Sequence, residues 1–207
     1  MRILIGMECS AIIRDEFRAK GHDAWSCDLK PCEGDPRWHL QGDVFHHINK
    51  HWDIGIFHPS CRYLSVSGAR WLYEKPEWAN NQLMAIHDAE ALWLSRDLFA
   101  VGFGLENPVG ILSTKSILGK ATQYIQPWMF GDNFLKKTGL WLDRLPPLKP
   151  TSDLDGSTAV AACWKCAPTK DPEERRTIRA RTYPGIAKAM ADQWALSHDC
   201  KPTNEKP

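Results

Sequence analysis

The chain has 207 residues, 43% of them hydrophobic and 25% charged, with a formal net charge of +1, which excludes a collagen-like, low-complexity or intrinsically disordered protein. The length exceeds one typical domain and falls short of two, so one domain over 1–207 is expected, with a short appendage. No apolar run approaches the roughly 20 residues of a membrane span, Ile3-Leu4-Ile5 lacks the length and basic flank of a secretory signal, and the seven cysteines are expected as reduced thiols in a cytoplasmic protein.

Arg2 to Met7 is a short buried run rich in Ile and Leu, then Glu8-Cys9-Ser10 is small and polar, and Ile12, Ile13 and Phe17 recur at helical spacing. That is strand, turn, helix. Gly21-His22 ends the helix as a C-cap glycine does, and Asp23 to Asp28 is a second strand closed by a carboxylate. Residues 30–42, with two prolines and two glycines, are expected as loop. Asp53-Ile54-Gly55-Ile56-Phe57 is a further buried strand running into His58-Pro59-Ser60-Cys61. Glu77 to Phe99 reads as a long helix with apolar positions at Leu83, Ile86, Leu92 and Trp93, and Ala100 to Leu105 as the next strand, ending at Glu106-Asn107-Pro108.

Strands alternating with helices predict an α/β fold with a mostly parallel sheet flanked by helices. Ligands of open parallel sheets gather outside the carboxyl ends of the strands, so Glu8, Asp28, Cys61 and Glu106 are expected to face one crevice. Pro146 to Pro172, with five prolines, reads as an extended connection, followed by the basic stretch Arg175 to Arg181 and a last helix from about Gly185 to Leu196. Lys201 to Pro207 is expected to fray.

Cys61 and Glu106 at successive strand ends suit one demanding reaction. The C5 carbon of a pyrimidine is a poor nucleophile; a thiolate adding to C6 activates it while an acid stabilises the developing charge by hydrogen bonding at N3. The segment from Asp53 to Cys61 resembles the strand and nucleophile loop of the cytosine C5 methyltransferases, and Leu105-Glu106-Asn107-Pro108 resembles that family's Glu-Asn-Val motif. Gly42-Asp43-Val44 is similar to the motif whose acid lies by the cofactor's adenine, and Asp28 matches the acid that holds the ribose hydroxyls. The stretch from Arg2 to Trp194 also looks like small phage and prophage methyltransferase-like proteins, through Gln126-Pro127-Trp128, Thr138 to Leu142 and Pro184 to Ala187.

The resemblance implies a Rossmann-like class I methyltransferase sheet, S-adenosyl-L-methionine as cofactor near Glu8, Ser10, Asp28, Asp43 and Pro59, Cys61 as nucleophile, Glu106 at N3, and cytosine in DNA or a free pyrimidine nucleotide as substrate. The sequence departs from the family pattern at three places. Ser60 stands where a proline usually precedes the cysteine, Glu8 to Ala11 contains no glycine, and Asp143 to Arg175 is short for a target-recognition region. The alternative implied is a methyltransferase-like module that has lost the chemistry and binds nucleic acid or protein.

Residues 1–114 carry 11 basic and 15 acidic side chains, and residues 115–207 carry 15 and 10. Arg175, Arg176, Arg179 and Arg181 are the candidate phosphate contacts, with a solvated segment partly paired to neighbouring glutamates as the alternative. Of the ten tryptophans, Trp71, Trp128 and Trp141 are candidates for base stacking, although core packing is the expected role of most. The tryptophan content is also compatible with a homodimer. Cys163 and Cys166 have the spacing of half a zinc site that His198 and Cys200 could complete, but one Cys-x-x-Cys pair does not assign a metal, and none is expected.

Overall fold

The computed structural model of the chain describes residues 1–66, 71–161 and 170–195, without the side chains of Leu72, Tyr73, Pro172, Glu173, Arg176 and Thr177. The zinc candidates Cys163, Cys166, His198 and Cys200 and the terminal segment from Lys201 lie outside the described residues.

The three most apolar segments become the centre of the sheet: β1 (Arg2–Gly6), β4 (Ile54–Phe57) and β5 (Gly102–Pro108). Each is buried on both faces, as parallel strands covered by helices must be. Ile3, Ile5, Ile54 and Ile56 pack on one face with α1 (Ile12–Ala19) and α4 (Pro184–Ala195). Leu4, Phe57, Phe103 and Leu105 pack on the other with Ile86, Ala89 and Leu92 of α2 (Glu77–Leu94). This alternation within single strands makes one sheet with two cores.

β2 (Asp23–Asp28) and the short β3 (His39–Gln41) extend the sheet on the β1 side. β6 (Gln123–Ile125) and β7 (Thr138–Asp143) extend it beyond β5, giving the order β3-β2-β1-β4-β5-β7-β6. β1 to β5 are all parallel, whereas β7 runs antiparallel to both β5 and β6. The architecture is therefore Rossmann-like α/β with one reversed strand. The chain moves outward from β1 to β3 and then returns to β4, so the direction of winding switches between β1 and β4.

Several expectations need correction. β3 lies inside the segment expected to be all loop: Ser26 Oγ and His39 Nδ1 are 2.8 Å apart, and Trp38 meets Trp25 edge to face, which pins this polar strand to β2. The long helix stops at Leu94 rather than Phe99, where Ser95 Oγ donates to the Leu92 carbonyl at 2.7 Å and the chain tightens into a 3-10 turn over Ser95–Leu98. Leu83 is not in the core but 55% exposed. Glu106, Asn107 and Pro108 are the last residues of β5 rather than its exit, because β7 pairs with all three. The basic stretch is helical, forming α3 (Pro172–Ala180). Part of the proline-rich connection is ordered too: Asp155 caps a turn over Gly156–Thr158, and Val160–Ala161 pairs with Phe134–Leu135.

Trp194 closes the first core. It is fully buried, and its Nε1 donates to the Pro146 carbonyl at 2.9 Å. Trp194→Ala removes a large apolar body and orphans that carbonyl, so unfolding by urea is expected to show a loss of about 3–5 kcal/mol. An unchanged midpoint would mean that α4 does not hold the sheet.

Candidate active site

The register of the parallel strands brings the candidate residues to one edge. Gly6 pairs with Phe57, and Phe57 pairs with Leu105. The next residue on β5 is Glu106, and the first after β4 is His58. They meet: His58 Nδ1 lies 3.0 Å from Glu106 Oε2. His58 N–H also donates to the Gly6 carbonyl at 3.0 Å, which carries the ladder one step past β4 and ties the loop that holds Cys61 to β1.

The loop is fixed again from β5. Asn107 is 1% exposed, and its Nδ2 donates to the Pro59 carbonyl at 2.7 Å. Pro59, expected near the cofactor, is buried with its carbonyl engaged in this way. From Cys61 the chain turns, with Leu64 N–H and Ser65 N–H both donating to the Cys61 carbonyl. The thiol is half-buried. Burial pushes it above the ordinary cysteine range; Lys136 draws it back, Glu106 pushes it further up, and Arg179 again draws it down. Cys61 and Glu106 therefore share one electrostatic neighbourhood.

Burial alone pushes the Glu106 carboxyl up. The His58 hydrogen bond and charge, the Lys136 ammonium and the Thr138 hydroxyl outweigh it, and the carboxyl is held below its ordinary range. Glu106 also borders a narrow cleft with Lys136, Thr138, Thr182 and Tyr183. Lys136 Nζ donates to the Arg179 carbonyl at 3.2 Å, so α3 ends beside the site.

The β1 and β2 ends form the other half. Glu8 is 6% exposed; its Oε1 accepts from Ser10 Oγ at 2.8 Å and from Ile13 N–H at 3.1 Å, which caps α1 at a distance. The loop has no glycine, yet Met7 and Ala11 both adopt positive φ, at 60° and 66°. Two non-glycine residues in this region store about 1–3 kcal/mol each. Asp28 Oδ1 accepts from Lys30 N–H at 2.8 Å, and Asp43 Oδ1 accepts from Phe45 N–H at 3.0 Å, so both acids also shape their own turns. Burial, reinforced by Asp28 and then Asp43, pushes the Cys27 thiol up to about 12, which leaves it inert.

The basic residues are only partly free to meet a ligand. Arg181 Nε donates to Glu33 Oε2 at 2.8 Å, joining the end of α3 to the loop after β2. Arg179 is exposed and acts on Cys61 through its charge. Arg175 N–H donates to the Asp171 carbonyl within the first turn of α3, and the side chain of Arg176 lies outside the described part. Of the tryptophans singled out, Trp141 is core, 2% exposed, with Nε1 donating to the Gly119 carbonyl at 2.9 Å. Trp128 packs on Gly156, where an added Cβ would lie 2.6 Å from its ring. Trp71 lies 6.1 Å from Trp78, ring to ring.

Sequence reasoning does not reach the pairing of His58 with Glu106. The position of His58 one residue past an apolar strand was the available signal. Three buried polar atoms at the carboxyl ends of β1, β4 and β5 have no hydrogen-bond partner among the described residues: Glu8 Oε2, His58 Nε2 and Asn107 Oδ1. Such atoms are uncommon inside folded chains and cluster where ligands bind. No protein-family model matches the chain, and no curated protein sequence matches it. The chemistry of the site is therefore argued from its own residues.

The opposing charges around Cys61 set its reactivity. Lys136→Met is expected to slow alkylation of Cys61 by iodoacetamide at pH 8 by about threefold, and Glu106→Gln to speed it by a similar factor. Peptide-resolved mass spectrometry reads both rates. Identical rates in all three proteins would mean that neither charge reaches the thiol.

Proposed function

We propose that the protein transfers a methyl group from S-adenosyl-L-methionine to C5 of cytosine in DNA, through a covalent adduct at Cys61. The observation that carries this reading is the half-buried Cys61 thiol, in the loop after β4, within electrostatic reach of a charged Glu106 on the neighbouring parallel strand, near the switch in winding. A thiol and a carboxyl group in one neighbourhood are what addition to a pyrimidine requires.

The residues at the β1 and β2 ends fit the cofactor on one count. Glu8 Oε2 is a buried carboxylate oxygen without a partner, suited to the amino group of the methionine moiety. Ser10 braces Glu8, while Asp28 and Asp43, both near Cys27 at the end of β2, would hold the ribose and the adenine. The cofactor supplies the methyl group. Cys61 as thiolate adds to C6, Glu106 engages N3, and loss of the C5 proton then releases Cys61. In duplex DNA the base must leave the stack to reach this edge, and a single strand or a free pyrimidine nucleotide avoids that cost. Arg175, Arg176 and Arg179 of α3 are the phosphate contacts in this reading, with Arg181 available only if it leaves Glu33.

A second reading has one observation in its favour. Burial raises the Cys61 thiol, which suits a binding module that keeps the fold and has lost the chemistry.

Calorimetry with S-adenosylmethionine and S-adenosylhomocysteine separates the two readings. The wild-type protein is expected to bind both, and Glu8→Gln and Asp28→Ala to bind about tenfold or more weakly, as loss of a hydrogen bond to a charged group predicts. An oligonucleotide containing 5-fluorocytosine should then trap a Cys61 adduct that Cys61→Ser cannot form. A folded protein that binds neither cofactor form overturns the methyl-transfer reading and favours the binding module.

A further inference from the structure

We infer that His58 is a positioning residue which stores, and hands to Glu106, the proton that the cytosine ring takes up at N3 when Cys61 adds to C6. This inference rests on the proposed function and assigns the acid of that same site.

Addition of a thiolate to C6 pushes an electron pair toward N3, and the ring accepts it readily only if a proton arrives there. The expected donor is Glu106, but a carboxylate donates nothing, and Glu106 is held in the charged form by His58, Lys136 and Thr138. The closest titratable group hydrogen-bonded to it is the His58 imidazole, with Nδ1 at 3.0 Å from Oε2. The other ring nitrogen, Nε2, is buried and has no hydrogen-bond partner among the described residues, so of these residues only Glu106 holds the ring. Backbone placement keeps the pair together, because the β4–β5 register and the His58 N–H to Gly6 carbonyl bond fix where the ring sits.

The step balances as follows. The thiolate pair of Cys61 forms the bond from sulfur to C6, and the C5–C6 π pair moves through the ring to N3. Imidazolium His58 gives its Nδ1 proton to Glu106 Oε2, and the carboxylic acid so formed gives that proton to N3. The products are a neutral adduct, neutral His58 and an unchanged Glu106 carboxylate. Elimination of Cys61 reverses each transfer. Among the described residues, Tyr183 borders the same cleft as Glu106, and three further titratable groups share the electrostatic neighbourhood: Lys136, on the strand side, Cys61, in the loop, and Arg179, at the end of α3. None of these three is hydrogen-bonded to the His58 ring.

A cofactor-free readout isolates this step. Once Cys61 has added, C5 becomes basic and exchanges its hydrogen with solvent, so a deoxycytidine oligonucleotide in D2O should gain deuterium at C5, read by mass spectrometry. The wild-type rate is expected to depend on two groups, rising with pH as the Cys61 thiolate forms and requiring a second group in its protonated form. His58→Gln keeps a hydrogen-bond donor for Glu106 but has no proton to give; it should lose about 100-fold in rate, with the dependence on the second group abolished. Alkylation of Cys61 by iodoacetamide should continue in His58→Gln, which shows that the loop is intact. Wild-type exchange with an unchanged rate and profile in His58→Gln overturns the inference and leaves the proposed function standing. Absence of exchange in the wild-type protein overturns both.

Discussion

The hydrogen bond from Asn107 Nδ2 to the Pro59 carbonyl is the contact on which the site depends. A loop that leaves a parallel sheet has no strand partner for its carbonyls, and a buried carbonyl without a partner is costly. Here β5 supplies the partner from its own last turn of pleat. Because Glu106 precedes Asn107, the same strand end positions the loop with one side chain and the acid with the next. Pairing with β7 across Glu106, Asn107 and Pro108 keeps that strand end extended. The reversed strand is therefore part of the site, since without it the three residues would be free to turn away.

Charge in this pocket is arranged so that a buried carboxylate remains ionised. Burying an unpaired carboxylate is among the costlier arrangements in a folded chain. Glu106 avoids it by gathering an imidazole, an ammonium and a hydroxyl from three elements. The same ammonium also acts on Cys61, where it opposes burial. Lys136 thus serves two groups with opposite needs: it keeps one acid charged and brings one thiol closer to ionising. At the other half of the edge, the strained turn at Met7 and Ala11 is offset by Glu8, whose carboxylate satisfies the Ile13 N–H that a distorted helix start would leave open.

How much of this the sequence displays depends on the kind of signal each part carries. β1, β2 and β4 are legible because they are apolar runs bounded by polar turns, and Cys61 and Glu106 are legible because they follow or end such runs. β3 is not, since His39-Leu40-Gln41 is a polar edge strand held by a side-chain bond to Ser26 rather than by burial. Leu83 misled because apolar residues lie on more than one side of α2, with Leu83, Met84 and Leu94 exposed, so their spacing does not reveal which side meets the sheet. The pairing of His58 with Glu106 depends on the register of two strands 48 residues apart in the chain, and register is a property of the assembled sheet. Trp141 looks like a stacking surface only until β7 is seen to lie between β5 and β6, with this side chain buried.

The uneven charge of the two halves has an internal use as well as an external one. The first 114 residues carry four more acids than bases and the remainder five more bases than acids, which in isolation suggests a cationic face for phosphates. In the folded chain much of that contrast meets itself. Arg181 bonds to Glu33, and Lys136 and Arg179 act through their charges on the neighbourhood of Glu106 and Cys61. The Arg181 contact spans 148 residues of sequence and joins the element after the proline-rich connection to the loop beyond β2. Exposed pairs of this kind contribute little to stability. Their effect is on geometry: with the Lys136 bond to the Arg179 carbonyl, the Arg181–Glu33 contact holds the end of α3 near the carboxyl edge of the sheet, where the Arg179 charge acts on the thiol. A polyanion approaching this edge competes with Glu33 for Arg181, and salt weakens both contacts together.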